Sequence, residues 1–187
     1  MYILFLEIMR KLQPLDIIFR YTAETPLDTL IAECGLNYGD TLINHVGLVL
    51  DDKFIIEANK SGVVISSATD FMHGKIYVKR LNFELSAAEI DSVLRCAKSY
   101  LNKEYNFDFI DSEDSIYCSE LIIRAFEVLG DNNPFSRHPI TFNNHISKKL
   151  DARWLTYYGE THIPEGEMGS HPASLFANPS LVGIAES

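Results

Sequence analysis

Two apolar runs split by a short polar turn constrain this chain more than any other feature in it. Leu42-Ile43-Asn44-His45-Val46-Gly47-Leu48-Val49-Leu50 and Phe54-Ile55-Ile56-Glu57-Ala58 are rich in β-branched residues, and Asp51-Asp52-Lys53 lies between them. The pattern predicts a β-hairpin, and with it an antiparallel sheet. A loop of residues 51 to 53 pairs residue 50 with 54, 47 with 57 and 45 with 59. Odd-numbered positions then share a face, so His45 and Glu57 become diagonal cross-strand neighbours. A glutamate between Ile56 and Ala58 is a buried charge that needs a partner, and His45 is the available one. Gly47, just beyond the histidine, leaves room for a partner backbone or a substrate to come close.

Further strands are expected at Asp16-Ile17-Ile18-Phe19-Arg20, Ser61-Gly62-Val63-Val64-Ile65-Ser66 and Lys75-Ile76-Tyr77-Val78-Lys79-Arg80. Asp16 is expected to play a structural part at its strand start. Thr25-Pro26 opens a helix carrying Leu27, Leu30, Ile31 and Cys34 on one face. Ser86-Ala87-Ala88-Glu89 has capping-box spacing ahead of the stripe Ile90, Val93, Leu94, Ala97, Tyr100 and Leu101. Residues 1 to 9 fit a short helix or an edge strand equally well. Residues 102 to 115 read as a polar and aromatic loop containing Tyr105, Phe107 and Phe109. From Asp131 turn signals become dense, with one helix expected over Thr141 to Lys149. The fold class is α+β in a single domain, 1–187, with a core at about 13–130 and a C-terminal segment, 131–187, wrapping over it.

The loop at Asp114-Ser115-Ile116-Tyr117 turns into an amphipathic helix with Cys118 in its first turn, followed by Leu121, Ile122, Ala125, Phe126 and Leu129 on one face. Gly130 is placed to end it. Unpaired N–H groups and the positive end of the helix dipole favour a thiolate over a thiol at such a position. Cys118, His45 and Glu57 are the parts of a Cys–His–acid hydrolase. Cys118 is the nucleophile, His45 the general base and Glu57 the acceptor that orients the imidazole. The backbone N–H of Cys118 can help hold the oxyanion. The competing description of Cys118 is a small apolar core residue. Tyr117 is a candidate substrate-binding residue beside it.

Charge and cysteine content exclude several classes. With 16 Lys and Arg against 26 Asp and Glu the formal net charge is -10, and no basic patch stands out, so nucleic acid is not an expected partner. The cysteines, Cys34, Cys96 and Cys118, show neither CxxC nor zinc-like spacing, and the histidines form no HExxH pair, so no metal or other cofactor is expected. Free thiols suit a reducing cytosol, and a cytoplasmic location is expected. The first residues lack a positive region ahead of the apolar run and carry Glu7 early, which makes a poor signal peptide. No run reaches transmembrane length. His73, His138, His145, His162 and His171 fall in turns or polar segments, and most of them are expected to be solvated.

Leu15-Asp16-Ile17-Ile18-Phe19, Asn44-His45-Val46-Gly47, Ile56-Glu57-Ala58 and Tyr117-Cys118-Ser119-Glu120-Leu121-Ile122, in that order, resemble the YiiX/YebB-type branch of the NlpC/P60 cysteine hydrolases. The resemblance spans roughly Gln13 to Gly130 and extends more weakly to Pro172–Val182. It implies a circularly permuted papain-like fold, an antiparallel sheet or partial barrel packed on helices including that of Cys118. The order histidine, acid, cysteine is the permuted one. Residue by residue, Cys118 matches the nucleophile, His45 the base and Glu57 the third member. Leu15 stands where that family usually has a glycine, which implies a different local turn. The implied activity is cleavage of an amide bond, as a cysteine peptidase or amidase, in a small peptide or murein fragment. The same thioester chemistry serves lipid acyl hydrolases and acyltransferases, which an apolar tunnel would favour. A non-catalytic binding domain on this fold is the third alternative.

Overall fold

The hairpin forms in the register its loop length requires. The computed structural model describes residues 2–159 and 162–186. In chain order its elements are α1 (Tyr2–Lys11), β1 (Ile17–Tyr21), α2 (Pro26–Gly35), β2 (His45–Val49), β3 (Phe54–Asn59), β4 (Gly62–Ser67), α3 (Ala68–Phe71), β5 (Lys75–Leu81), α4 (Ala87–Ser99), β6 (Glu104–Tyr105), β7 (Ser115–Ile116), α5 (Cys118–Phe126), β8 (His138–Pro139), α6 (Ala152–Tyr157), β9 (Met168–Gly169), α7 (Pro172–Phe176) and β10 (Leu181–Glu186). Gly47 pairs with Glu57 and Val49 with Ile55 across β2 and β3. Asp51 fastens the turn by accepting from the backbone N–H groups of Lys53 and Phe54, at 2.8 and 2.9 Å.

The main sheet runs β10-β5-β1-β2-β3-β4 with every neighbouring pair antiparallel, and it ends at β10 and β4 rather than closing into a barrel. Both its faces are covered, which is why β2 reads as an almost unbroken apolar run. Ile17, Phe19, Val46 and Leu48 join the core that contains Leu121, Ile122 and Phe126 of α5 and Val93 of α4. Ile18, Val49 and Ile55 join a second cluster with Ile8 of α1 and Phe71 of α3. Capping boxes start α2 at Thr25 and α4 at Ser86, as their sequences require.

Helix α1 resolves the ambiguity of the first residues in favour of helix, with Met1 outside the described residues. Its length, and that of every other described helix, is too short or too polar to cross a membrane. β10 pairs along β5, Leu181 with Leu81 and Val182 with Arg80, so the end of the chain is built into the sheet.

The expected helix over Thr141 to Lys149 does not form. Asn144 instead accepts from the backbone N–H groups of Ile146 and Ser147, both at 3.0 Å, and Lys148 takes φ 54°. A side chain that satisfies backbone donors locally competes with the helix ladder, and the helical turn comes later, at α6. Leu15 adopts φ 69°, the left-handed conformation that suits glycine, while buried at 4% exposure. Its backbone N–H donates to Val49 at 2.9 Å, and Asp16 beside it accepts from Arg80 at 2.6 and 2.8 Å. Burial of the Leu15 side chain and this backbone bond hold the strained conformation, and Asp16 has the structural part expected of it.

Gly47 has a packing role in place of a substrate-facing one. A Cβ there would come within 2.7 Å of Ile55 Cγ2 and 2.8 Å of Phe71 Cε2. Gly47→Ala is expected to destabilise the fold by about 1–3 kcal/mol, the usual cost of overpacking a filled core, as measured by urea unfolding. An unchanged midpoint would show that Phe71 yields freely.

Candidate active site

Cys118 is the first residue of α5, behind Tyr117 at the N-cap, which makes no side-chain capping bond. The first N–H groups of the helix have no acceptor within it. Those of Cys118 and Ser119 turn toward the sulfur, as do the N–H of Val46 and the hydroxyl of Tyr105. The loop before the helix is anchored by Arg124, which donates to the Ser112 carbonyl at 2.8 Å, to Asp111 at 2.6 Å and to buried Glu120 at 2.7 Å. Burial lifts the Glu120 carboxyl to about 7 in spite of Arg124.

His45 opens β2, where the register places Glu57 diagonally opposite. The two side chains meet in a buried hydrogen bond, Nε2 to Oε2 at 2.7 Å. The Ser66 hydroxyl donates to the other Glu57 oxygen. Burial alone would raise the Glu57 carboxyl, but the His45 bond and charge, Ser66 and Arg20 outweigh it and bring it down to about 2. Burial lowers His45, and this outweighs the pull of Glu57 in the other direction. At neutral pH the pair is therefore a carboxylate and a neutral imidazole whose Nε2–H is donated to it.

The expectation of a resting thiolate at Cys118 is not met. The backbone N–H groups of Ser119 and Val46 and the Tyr105 hydroxyl do favour the anion, but with 3% of the residue exposed burial pushes the thiol up to about 12. A helix end contributes at most about 2 kcal/mol to a partly buried charge, and full burial moves a group by several pKa units, so desolvation wins.

The structure thus brings His45 and Glu57 into direct contact, with the imidazole packed on Phe71, and sets the Cys118 sulfur against the β2 backbone at Val46, in the core cluster that contains α5; among the described residues no hydrogen bond joins the imidazole to the sulfur. Tyr117 is buried, and its hydroxyl accepts from the Ser170 N–H at 2.9 Å. Tyr117 and Cys118 line a small apolar cavity of about 40 Å³ together with Ile140, Phe142 and Trp154. Cys34 reaches the same cavity but donates its thiol to the Thr141 carbonyl at 2.5 Å, and burial pushes it up to about 12.

His171 departs from the expectation of a solvated side chain. It is 9% exposed and caps α7, accepting at Nδ1 from the Ala173 N–H and bonding Nε2 to the Ile31 carbonyl, each at 3.0 Å, and burial lowers it to about 4.

Sequence reasoning passed over two side chains around the site, Ser66 and Arg20, and one contact, that of Tyr105 with the sulfur. Ser66 was legible, because β3 pairs Glu57 with Val64 and so leaves Ser66 diagonal to the carboxylate. Arg20 was legible in the same way once β1 is known to pair with β2. The contact of Tyr105 with the sulfur was not, since it depends on β6 lying parallel to β7 just ahead of Cys118.

The family described as permuted papain-like amidase enzyme, YaeF/YiiX, C92, matches residues 11–185. The uncharacterized protein YiiX of Escherichia coli (strain K12) is 28% identical over 113 residues, which is 60% of this chain and 55% of that relative. The chain thus matches little more than half the length of that relative. A crystal structure of metalloprotein yiiX (DUF1105) from Escherichia coli O157:H7 superposes with a TM-score of 0.78 at 25% identity, covering 94% of this chain and 97% of the other.

Proposed function

Since the chain belongs to the permuted papain-like amidase family YaeF/YiiX, C92, we propose that it hydrolyses an amide bond through a thioester on Cys118, with His45 as general base and Glu57 holding the imidazole. The observation that carries this is the buried 2.7 Å bond between His45 Nε2 and Glu57 Oε2, in a chain whose helix-start cysteine lies against the backbone of Val46, the residue after His45. Glu57 has few reasons to be ionised inside a core unless it orients a base.

With Nε2 committed to Glu57, Nδ1 is the nitrogen left to accept a proton. It takes the Cys118 proton as the sulfur attacks the carbonyl carbon, and the resulting oxyanion is held by N–H groups at the start of α5. Collapse breaks the C–N bond while His45 returns the proton to the leaving amine. A water then gives its proton to His45, attacks the thioester and releases the acid, and the thiol is restored. Because the resting sulfur is a thiol, proton transfer accompanies attack rather than preceding it.

The cavity beside Cys118 adds a substrate preference. Its walls are apolar and its volume accommodates only a few waters, which suits a short apolar acyl side in a peptide or peptidoglycan-type amide. A long lipid acyl chain, the acyl-hydrolase or acyltransferase alternative, would need more room than this cavity has. The related structure is of a metalloprotein; among the described residues of this chain no group of three or more His, Cys, Asp or Glu side chains is disposed to hold a metal ion. No step is assigned to one.

The test is a panel of N-acyl amides with acyl groups from acetyl to palmitoyl, together with murein peptides, followed by mass spectrometry of the acid-quenched enzyme. Short apolar acyl groups are expected to turn over fastest and to leave an acyl adduct on Cys118. Turnover without any adduct on that residue, or an optimum at palmitoyl, would overturn the corresponding part of the proposal.

A further inference from the structure

Arg20 is a half-buried cation without a carboxylate partner. Among the described residues it makes no ion pair within 4.0 Å, and its Nε is buried with no hydrogen-bond partner. Such an arrangement costs stability unless it serves something nearby. Its place in the sheet shows what is nearby. Arg20 on β1 is the cross-strand partner of His45 on β2, and antiparallel partners point their side chains to one face. Glu57 shares that face through its bond to His45.

The guanidinium is held in place by Phe71. Nη1 donates to the Phe71 carbonyl at 3.0 Å, and Cζ lies 4.8 Å from the centre of its ring. The same ring packs on the His45 imidazole, with centroids 5.4 Å apart. Phe71 therefore links the cation and the base as a shared apolar contact. Gly47 keeps the space for that ring open.

We propose that Arg20 is a positioning residue for the His45–Glu57 pair, a fixed cation seated on Phe71 whose field keeps Glu57 ionised and His45 neutral and able to accept a proton. This rests on His45 acting as the base of the site. The charged and titratable groups that act on Arg20 are Glu57, Glu24, Asp28 and Cys118, and His73 lies 3.3 Å from Nη1 with Glu24 3.4 Å beyond it. Of these, Glu57 is bonded to the base, Asp28 attracts the guanidinium and also raises the imidazole, and Glu24 attracts the guanidinium. Arg20 lowers both Glu57 and His45, in keeping with the role.

The test compares wild type with Arg20→Gln, which retains a donor for the Phe71 carbonyl but loses the charge, and Arg20→Lys, which retains the charge. The His45 imidazole is titrated by NMR in the whole chain, and the rate of Cys118 alkylation is followed against pH. Arg20→Gln is expected to raise the His45 titration by about one pH unit and to move the acid limb of alkylation upward by the same amount, with Arg20→Lys close to wild type. A His45 titration unmoved in Arg20→Gln, or moved equally in Arg20→Lys, overturns the assignment. So does a uniform loss of rate at every pH, which is what a purely structural role would give. The NMR arm separates the two proposals. A shifted His45 in Arg20→Gln supports the role of Arg20 even where wild-type Cys118 alkylates no faster than Cys34, a result that would instead end the nucleophile assignment.

Discussion

Cys118→Ala is expected to lower kcat/KM for amide hydrolysis by about 10⁴-fold or more while leaving the fold in place. Every bond-making step in the proposed reaction passes through that sulfur, and the Tyr105 hydroxyl and the N–H groups around it cannot replace it as a nucleophile. The substitution removes one atom from a tightly packed position at the head of α5, so the expected cost in stability is about 1 kcal/mol, small enough for unfolding curves and activity to be read separately. Activity within tenfold of wild type would show that Cys118 is the small apolar core residue that most unpaired cysteines are. The three thiols sharpen the comparison. Burial raises Cys34 and Cys118 to about 12 and lifts the partly buried Cys96 above its ordinary value, so an unassisted thiol at either buried position is inert near neutral pH. Alkylation of Cys118 that depends on the protonation of His45 is therefore a signature of base assistance, not of a low thiol pKa.

Glu57→Gln is expected to lower kcat/KM by about 10²- to 10⁴-fold, because an amide NH₂ facing His45 Nε2 opposes the tautomer that leaves Nδ1 free to act as base. It also has an acid-stability signature. The folded-state carboxyl sits at about 2, below its ordinary value near 4.5, so its contribution to stability is fully present above about pH 4.5 and is lost as pH falls through about 2. That window is worth about 3 kcal/mol at 1.36 kcal/mol per pKa unit. Urea unfolding at a series of pH values is expected to show wild type falling toward the Glu57→Gln variant between pH 4.5 and 2. Parallel curves across that range would mean that the carboxylate is not stabilised by His45 and Ser66 as the structure has it.

Much of the candidate site is legible in the sequence because hairpin geometry converts sequence spacing into spatial neighbours. The short turn at Asp51-Asp52-Lys53 fixed which residues of β2 and β3 face one another, and the period of two placed His45 and Glu57 on one side. The same logic at Lys60-Ser61 would have added Ser66. Leu15 shows the limit of local rules, since an unfavourable φ is tolerated where burial and the bond to Val49 hold the backbone. The segment 141–149 shows it again, where Asn144 captured the donors a helix would have used.

What the sequence determined by itself is the set of partners whose relation is local or follows from strand pairing: the hairpin, the His45–Glu57 contact and a helix beginning at Cys118. Only the tertiary structure decided the electrostatic state of those groups. Whether Cys118 rests as thiol or thiolate depends on how much water the surrounding elements exclude, and Ile140, Phe142 and Trp154, which wall its cavity, come from a distant part of the chain. Desolvation is a property of the whole packing around an atom, and no spacing in a sequence records it.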